Sequence, residues 1–407
     1  MTVTPIFPAR SDADADADDQ PAAPHELVAA ARRLVPILAE RAEEGERLRR
    51  VADEAARALR EAGMFRLGTP RGFGGHGAGV RTCMEVTAEL ARGDASSGWI
   101  AMIFTGGSLV AGLMDERART EVWGEDRDAA VVATLTPGGE GRAVDGGLIV
   151  SGRWGFASGV DHAQWAVMAV APAAGVQEAP RIVLVPLAEL TVEDTWQVAG
   201  MAATGSNTLV ADGVHVPAHR ILDMGGVLAG AYAAAADGER FKVSVSSQLA
   251  LTVVAPMLGM ARAALELTLE TARHKPMSLT TYPRLADSPV VQLAVADAAS
   301  LIDTAHLHAY RAADDLDRAA AEDRPLTVAE RARVRMDTGV AAVRTREAVD
   351  QLVSVTGAGG FALANPLQRI WRDLGTASRH GVVNPGLARE IYGRSVLGIE
   401  EQPTFII

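Results

Sequence analysis

Residues Gly152-Arg153-Trp154-Gly155-Phe156-Ala157-Ser158-Gly159, followed by His162-Ala163-Gln164-Trp165, collect aromatic rings, a hydroxyl and glycines in one short run of an aromatic-poor chain. The run reads as a β-strand ending in a Ser-Gly turn. Successive strand residues alternate faces and glycine permits close backbone approach, so the segment can lay a ring beside a flat cofactor and bring a hydroxyl to its edge. A flavin ring suits that geometry. The same residues also suit a half-buried β-hairpin in which Trp154 and Phe156 fill a core, with His162 and Trp165 as packing or turn residues.

The rest of the chain narrows the chemistry by exclusion. Its 407 residues suffice for roughly two or three packed units, or for one large enzyme subunit. A net charge of −12 without any Lys/Arg-rich block argues against a nucleic-acid surface. Cys83 is the only cysteine, so no intramolecular disulfide forms and no metal site is expected. The alternating Asp/Ala run from Asp12 to Asp19 lacks the basic-then-apolar order of a secretion signal. Residues before about Pro24 offer too little apolar surface to offset the entropy of ordering. The apolar runs Met224 to Ala236 and Leu249 to Ala264 are interrupted before they reach membrane-spanning length. A soluble, cytoplasmic protein is expected, with neither membrane nor nucleic acid as partner.

Periodicity divides the chain into a disordered acidic tail (1–24), a helical domain (25–127), a central β domain (128–223) and a C-terminal helical bundle (224–407). Val28, Ala31, Leu34 and Leu38, then Val51, Ala55 and Leu59, recur at helical spacing. The Gly68 to Gly75 loop breaks this pattern, and Asp94-Ala95-Ser96-Ser97 offers caps for the next helix. Short apolar runs follow at Ala130–Leu135, Leu148–Ser151, Trp165–Val170 and Arg181–Val185. Long helices are expected over Leu251–Arg273, Val290–Ala321 and Thr327–Val355. The fold class is α+β, mainly α.

These features together resemble the acyl-CoA dehydrogenase fold over nearly the whole chain after about His25. The resemblance rests on the order of regions, on Pro70 to Gly75 as a Pro-x-x-x-Gly-Gly loop, and on the strand end Thr134-Leu135-Thr136-Pro137. The Gly152 to Trp165 segment and Gly357-Ala358-Gly359-Gly360-Phe361 followed by Arg372-Asp373 complete it. Within that superfamily, Trp154-x-Phe156-x-Ser158-Gly159 and His380 resemble the two-component flavin-dependent monooxygenases, the branch of 4-hydroxyphenylacetate hydroxylase oxygenases, steroid-phenol hydroxylases and nitrososynthases. The resemblance implies reduced flavin (FMNH2 or FADH2), delivered by a separate reductase as diffusible flavin, O2 as cosubstrate, a small organic substrate and a homotetramer.

Dehydrogenation and oxygenation make different demands on this scaffold. Thioester oxidation needs a base, usually Glu, to remove an α-proton. For the dehydrogenases that carry it near the C-terminus, the resemblance places that slot, counted from Arg372-Asp373, at Gly381, which has no carboxylate, and His380 precedes it; other dehydrogenases carry the base on a different helix. Oxygenation instead requires that a C4a-hydroperoxide be held against loss of hydrogen peroxide. The resemblance assigns Ser158 and His380 to that task, where a hydroxyl near flavin N5 and an imidazole near the peroxide act. It further implies that Thr134, Leu135, Thr136, Trp154, Phe156, Gly159, Arg273, Gly359 and Gly360 contact the cofactor, and that Trp99 and Gly107 line the substrate site. Gly107 departs from the phenol-hydroxylating pattern, in which a histidine serves as base at about this spacing. Aromatic or polycyclic hydroxylation is the leading expectation. Amine N-oxidation or sulfoxidation by the same chemistry, acyl-CoA dehydrogenation and a non-catalytic scaffold are the alternatives.

Overall fold

Alanine, leucine and arginine at helical spacing build α1 (Pro24–Leu48), α2 (Asp53–Glu61), α3 (Val80–Gly93), α4 (Ala95–Ala111) and α5 (Glu116–Trp123). The computed structural model describes residues 22–175, 178–233 and 239–404, so the Asp/Ala-rich run lies outside the described residues. Asp94 begins α4, accepting from the Ser97 backbone N–H at 2.8 Å and from its hydroxyl at 2.7 Å, which satisfies a donor that the first helical turn leaves free. Within α4 every residue except Ile103 is buried. Such a helix carries no charged residue because it is enclosed on all sides. Trp99 and Met102 join a core with the C-terminal helices, Ile100 and Phe104 one with α1–α3 and the sheet, and Leu109 and Val110 a third.

The strands are β1 (Val131–Thr134), β2 (Gly139–Val144), β3 (Gly147–Ala157), β4 (Trp165–Pro172), β5 (Arg181–Pro186), β6 (Thr191–Glu193), β7 (Asn207–Pro217) and β8 (Ile221–Asp223). They form a mixed sheet in the order β6-β7-β3-β2-β4-β5-β8, with β1 added parallel to β4. β3 extends well past the four residues whose apolar run is visible in the sequence, because β7 pairs along it from Gly147↔Pro217 to Ala157↔Asn207.

The C-terminal helices are α6 (Met224–Ala229), α7 (Val245–Thr252), α8 (Ala255–His274), α9 (Pro289–Ala321), α10 (Val328–Thr356), α11 (Pro366–Ala377) and α12 (Pro385–Val396). The helix expected from Leu251 is instead divided into α7 and α8. Pro256 stands in the first turn of α8, where its missing N–H costs nothing. Thr327 caps α10 by accepting from the Glu330 N–H at 3.2 Å, while the Glu330 carboxylate accepts the Thr327 N–H at 2.8 Å.

Gly107 is where α4 meets the sheet. A Cβ at this position would stand 1.9 Å from the Val131 carbonyl oxygen, so a side chain can be added only by moving backbone. Gly107→Ala is therefore expected to destabilise the fold by about 2–3 kcal/mol, since overpacking outweighs the helix preference of alanine. Urea denaturation checks this, and an unchanged midpoint would mean that β1 can withdraw freely.

Candidate active site

The end of β3 is shaped by one extra residue. Trp154 pairs with Leu209 and Ala157 with Asn207, so three steps on β3 oppose two on β7, the signature of a β-bulge. The bulge is taken up at Phe156, whose φ of 62° is a left-handed conformation that a bulky side chain adopts only under constraint. Its ring is 74% exposed and meets the Trp196 ring edge-on at 5.8 Å. Gly159 follows with φ 80°, and a Cβ there would come within 2.8 Å of the Phe104 ring. Glycine thus lets the turn press against α4.

Ser158 stands between these two residues, nearly buried, in a line of hydroxyls. Its Oγ lies 2.7 Å from Ser206 Oγ, which lies 2.6 Å from Thr204 Oγ1, and Thr204 donates to the Met201 carbonyl at 2.8 Å. From the α4 side, Trp99 Nε1 donates to Ser158 Oγ at 3.2 Å. The Trp99 ring meets His380 in a T-shaped contact, centroids 5.9 Å apart. His380 is accessible to solvent. Burial of the surroundings, and then the Arg335 charge, nevertheless hold its imidazole below the usual pKa and hence neutral at pH 7. Its Nδ1 accepts from the Val382 N–H at 3.3 Å, which leaves the proton on Nε2.

A buried carboxylate joins these parts. Asp373, on α11, accepts the Met201 N–H at 2.5 Å, and Met201 has φ 59°. Burial raises this carboxyl to a pKa of about 7, against the opposing pull of the Met201 N–H. Arg372 beside it pairs with Glu46 at 2.6 Å and donates to the Ala199 carbonyl. The turn at Met201–Thr204 therefore rests on α11, the helix whose end leads to His380.

Not every residue expected at the site is there. Trp154 is a core residue: its ring is 1% exposed and Nε1 donates to the Ala169 carbonyl at 2.7 Å, so it presents no face to a cofactor. Phe156, by contrast, presents its ring to the outside of the strand end. Position 107 is turned against β1 and offers no side-chain route to a substrate. Thr134 closes β1 with a buried Oγ1 that has no partner among the described residues, and Leu135 and Thr136 follow beyond the paired residues. Arg273 lies in the last turn of α8, half exposed and paired with Glu270 at 3.2 Å. The neighbouring Lys275 donates to the Thr356 carbonyl at 2.6 Å, beside the Gly359 and Gly360 turn. The twelve residues of α11, about 18 Å of helix, lie between that turn and His380. Ser206 and Thr204 stand outside every motif of the sequence, and Asp373 enters only as half of the Arg372-Asp373 pair. Two hydroxyls flanking Gly205, itself at φ 53°, were the available signal.

The exposed Phe156 ring, the orphaned Thr134 hydroxyl and the buried Ser158 suit a flat group with a polar edge. The chain is similar to known proteins over nearly its whole length. Residues 24–120 match the acyl-CoA dehydrogenase N-terminal domain and residues 251–385 the acyl-CoA dehydrogenase C-terminal domain. The chain is 32% identical over 381 residues to the oxygenase subunit HsaA of a flavin-dependent monooxygenase from Rhodococcus jostii, covering 92% of this chain and 98% of that one. It is 33% identical over 391 residues to the oxygenase component of an FADH2-dependent resorcinol hydroxylase from Rhizobium, covering 93% and 95%. Among solved structures, XiaF from Streptomyces in complex with FADH2 and glycerol superposes with a TM-score of 0.87 at 32% identity, covering 93% of this chain and 96% of that one. The HsaA monooxygenase of M. tuberculosis superposes with 0.89 at 31%, covering 94% and 100%. The fold is thus that of the acyl-CoA dehydrogenases. Within it, the chain belongs to the flavin-dependent monooxygenases, as an oxygenase component that uses reduced flavin and O2 and depends on a separate reductase.

The Asp373 carboxyl makes stability depend on pH with a definite sign. Its folded pKa, about 7, lies above the ordinary 3.8. Its burden on stability is therefore absent below pH 3.8, grows as pH rises through that interval, and is complete above 7. Asp373→Asn removes the titration while its amide oxygen can still accept the Met201 N–H. The melting temperature of the variant relative to the parent is expected to rise between pH 5 and 7 and then level off. A difference independent of pH would show that the carboxyl ionises as it does in water.

Proposed function

We propose that this oxygenase hydroxylates a small aromatic substrate with Ser158 and His380 as the groups that control the oxygen chemistry. Bound reduced flavin supplies the two electrons that divide O2 between the product and water. The supporting observation is the direction of the hydroxyl line. Thr204 spends its only proton on the Met201 carbonyl. Ser206 must then donate to Thr204, and Ser158 to Ser206. With Trp99 Nε1–H occupying one lone pair of Ser158 Oγ, the remaining lone pair is an acceptor. An acceptor suits N5–H, which only the reduced ring carries. His380, neutral with its proton on Nε2, offers a donor on the other side of Trp99. Thr134 Oγ1 and the backbone of Leu135 and Thr136 would meet the ring's polar edge, with Phe156 against its face.

Relatives named as hydroxylases of resorcinol and p-hydroxyphenylacetate support an aromatic substrate. Assembly as a homotetramer is supported by α9, which exposes Val290, Leu293 and Leu307 at 66–70% and would need a partner to cover them. In such an assembly Arg273 and the Gly359-Gly360 turn would serve a neighbouring subunit's cofactor. Reduced flavin reaching the site by diffusion and a cytoplasmic setting complete the reading, the latter in keeping with a lone buried thiol at Cys83.

Two measurements test this. Ser158→Ala is expected to fold and bind reduced flavin, yet to divert O2 to hydrogen peroxide, lowering the product-to-peroxide ratio about five- to a hundredfold for one hydrogen bond of about 1–3 kcal/mol. Ser206→Ala, which frees the Ser158 proton to rotate, should lower it by a smaller factor. Unchanged coupling in both would remove the hydroxyl line from the mechanism. Separately, Leu293→Glu should yield smaller species by light scattering; a parent chain that is monomeric at micromolar concentration would refute the assembly.

A further inference from the structure

Arg335 is among the largest fully buried side chains of the protein, at 2% exposure. Among the described residues, neither its Nε nor its Nη1 has a hydrogen-bond partner and no carboxylate pairs with it. Desolvation alone acts on the guanidinium, lowering its pKa. An arginine in this state is costly, because a buried charge is normally paired or hydrogen-bonded. Its place in the fold is informative. One helical turn along α10, Gly339 abuts the start of α12, where a Cβ would meet Ala388 at 2.9 Å and Pro385 at 3.4 Å. Arg335 and Gly339 thus share the α10 face that packs toward the connection between α11 and α12, and that connection carries His380. The positive charge of Arg335 is felt at the His380 ring.

We infer that Arg335 is a substrate-binding residue that takes an anionic oxygen of the aromatic substrate, beside His380. The inference rests on the flavin reading of the Ser158 and His380 region and adds what that reading lacks. An aromatic carbon attacks an electrophilic oxygen faster when its ring bears an ionised hydroxyl. Position 107 cannot hold a base to create one, and His380 keeps its proton on Nε2. A desolvated guanidinium favours the ionised form electrostatically, by stabilising the phenolate rather than by removing its proton. The same guanidinium would equally hold a substrate carboxylate in a bidentate pair.

The experiment uses the full-length oxygenase, with reduced flavin under anaerobic conditions, and compares it with Arg335→Met. 4-Nitrophenol reports the phenolate through its colour, and 4-nitrophenylacetate against its amide reports the carboxylate. The parent is expected to raise the ionised-to-neutral ratio of bound 4-nitrophenol about tenfold or more over that in water, the effect of one charge-assisted bond, and Arg335→Met to abolish the increase. If instead the parent prefers the carboxylate over its amide by about that factor and the variant does not, the oxygen is a carboxylate. No difference between parent and variant with either probe overturns the inference. If neither probe binds, ligand-free melting decides: relief of an unpaired buried charge raises the melting temperature of Arg335→Met, and a lowered one overturns the inference. Loss of reduced-flavin affinity in the variant would also overturn it, by assigning Arg335 to the cofactor. A parent that holds no reduced flavin would sink the functional reading itself, a result distinct from all of these.

Discussion

The hydrogen bond from the Met201 N–H to the buried Asp373 carboxylate is the constraint on which the site's geometry depends. It crosses from the C-terminal helices to the loop that follows β6, joining elements that share no continuous secondary structure. On one side it holds Met201 in a left-handed conformation and so aims the Met201 carbonyl at the Thr204 hydroxyl. On the other it fixes α11, whose last residues precede His380. Close packing reinforces it: a Cβ at Gly200 would stand 2.1 Å from the Arg372 carbonyl oxygen. A carboxyl raised to about 7 is the electrostatic cost of that joint, and it is carried by a residue whose role is positional.

Trp99 performs the complementary task within α4. Its Nε1–H ends the hydroxyl line and its ring supports His380, so one side chain sets the separation between Ser158 and His380. The enclosed position of α4 among three cores gives this indole little freedom to move, since interiors are packed as densely as organic crystals. Polarity therefore follows from geometry. Once Thr204 has given its proton to a carbonyl, the state of every hydroxyl back to Ser158 is determined by counting protons.

The helical, β, helical order was legible because periodicities of 3.6 and 2 are written directly in the apolar residues. Trp154 and Phe156 show where legibility ended. Strict strand alternation places both on one face, but the bulge between Trp154 and Ala157 shifts the register, burying the first ring and exposing the second. A one-residue irregularity of this kind leaves no compositional trace beyond a glycine at 155. Ser206 and Asp373 were unassigned for a different reason: each acts across a long sequence separation, and only the folded chain brings Asp373 to Met201, 172 residues away.

Gly107 and Arg335 are best understood together. In a crevice that admits a catalytic base, a substrate hydroxyl can be deprotonated by transfer; here the backbone of β1 occupies the space such a side chain would need. The remaining means of favouring an ionised substrate is a fixed positive charge in a medium of low dielectric, which is the condition of Arg335. That arrangement changes what limits the reaction. A base is exhausted when it is protonated, whereas a guanidinium keeps its charge across the working pH range. Its influence therefore appears as a displaced substrate pKa rather than as the titration of a protein group. A neutral His380 fits beside it: a second cation would compete with Arg335 for the same oxygen, while an imidazole whose Nδ1 accepts the Val382 N–H can still donate from Nε2.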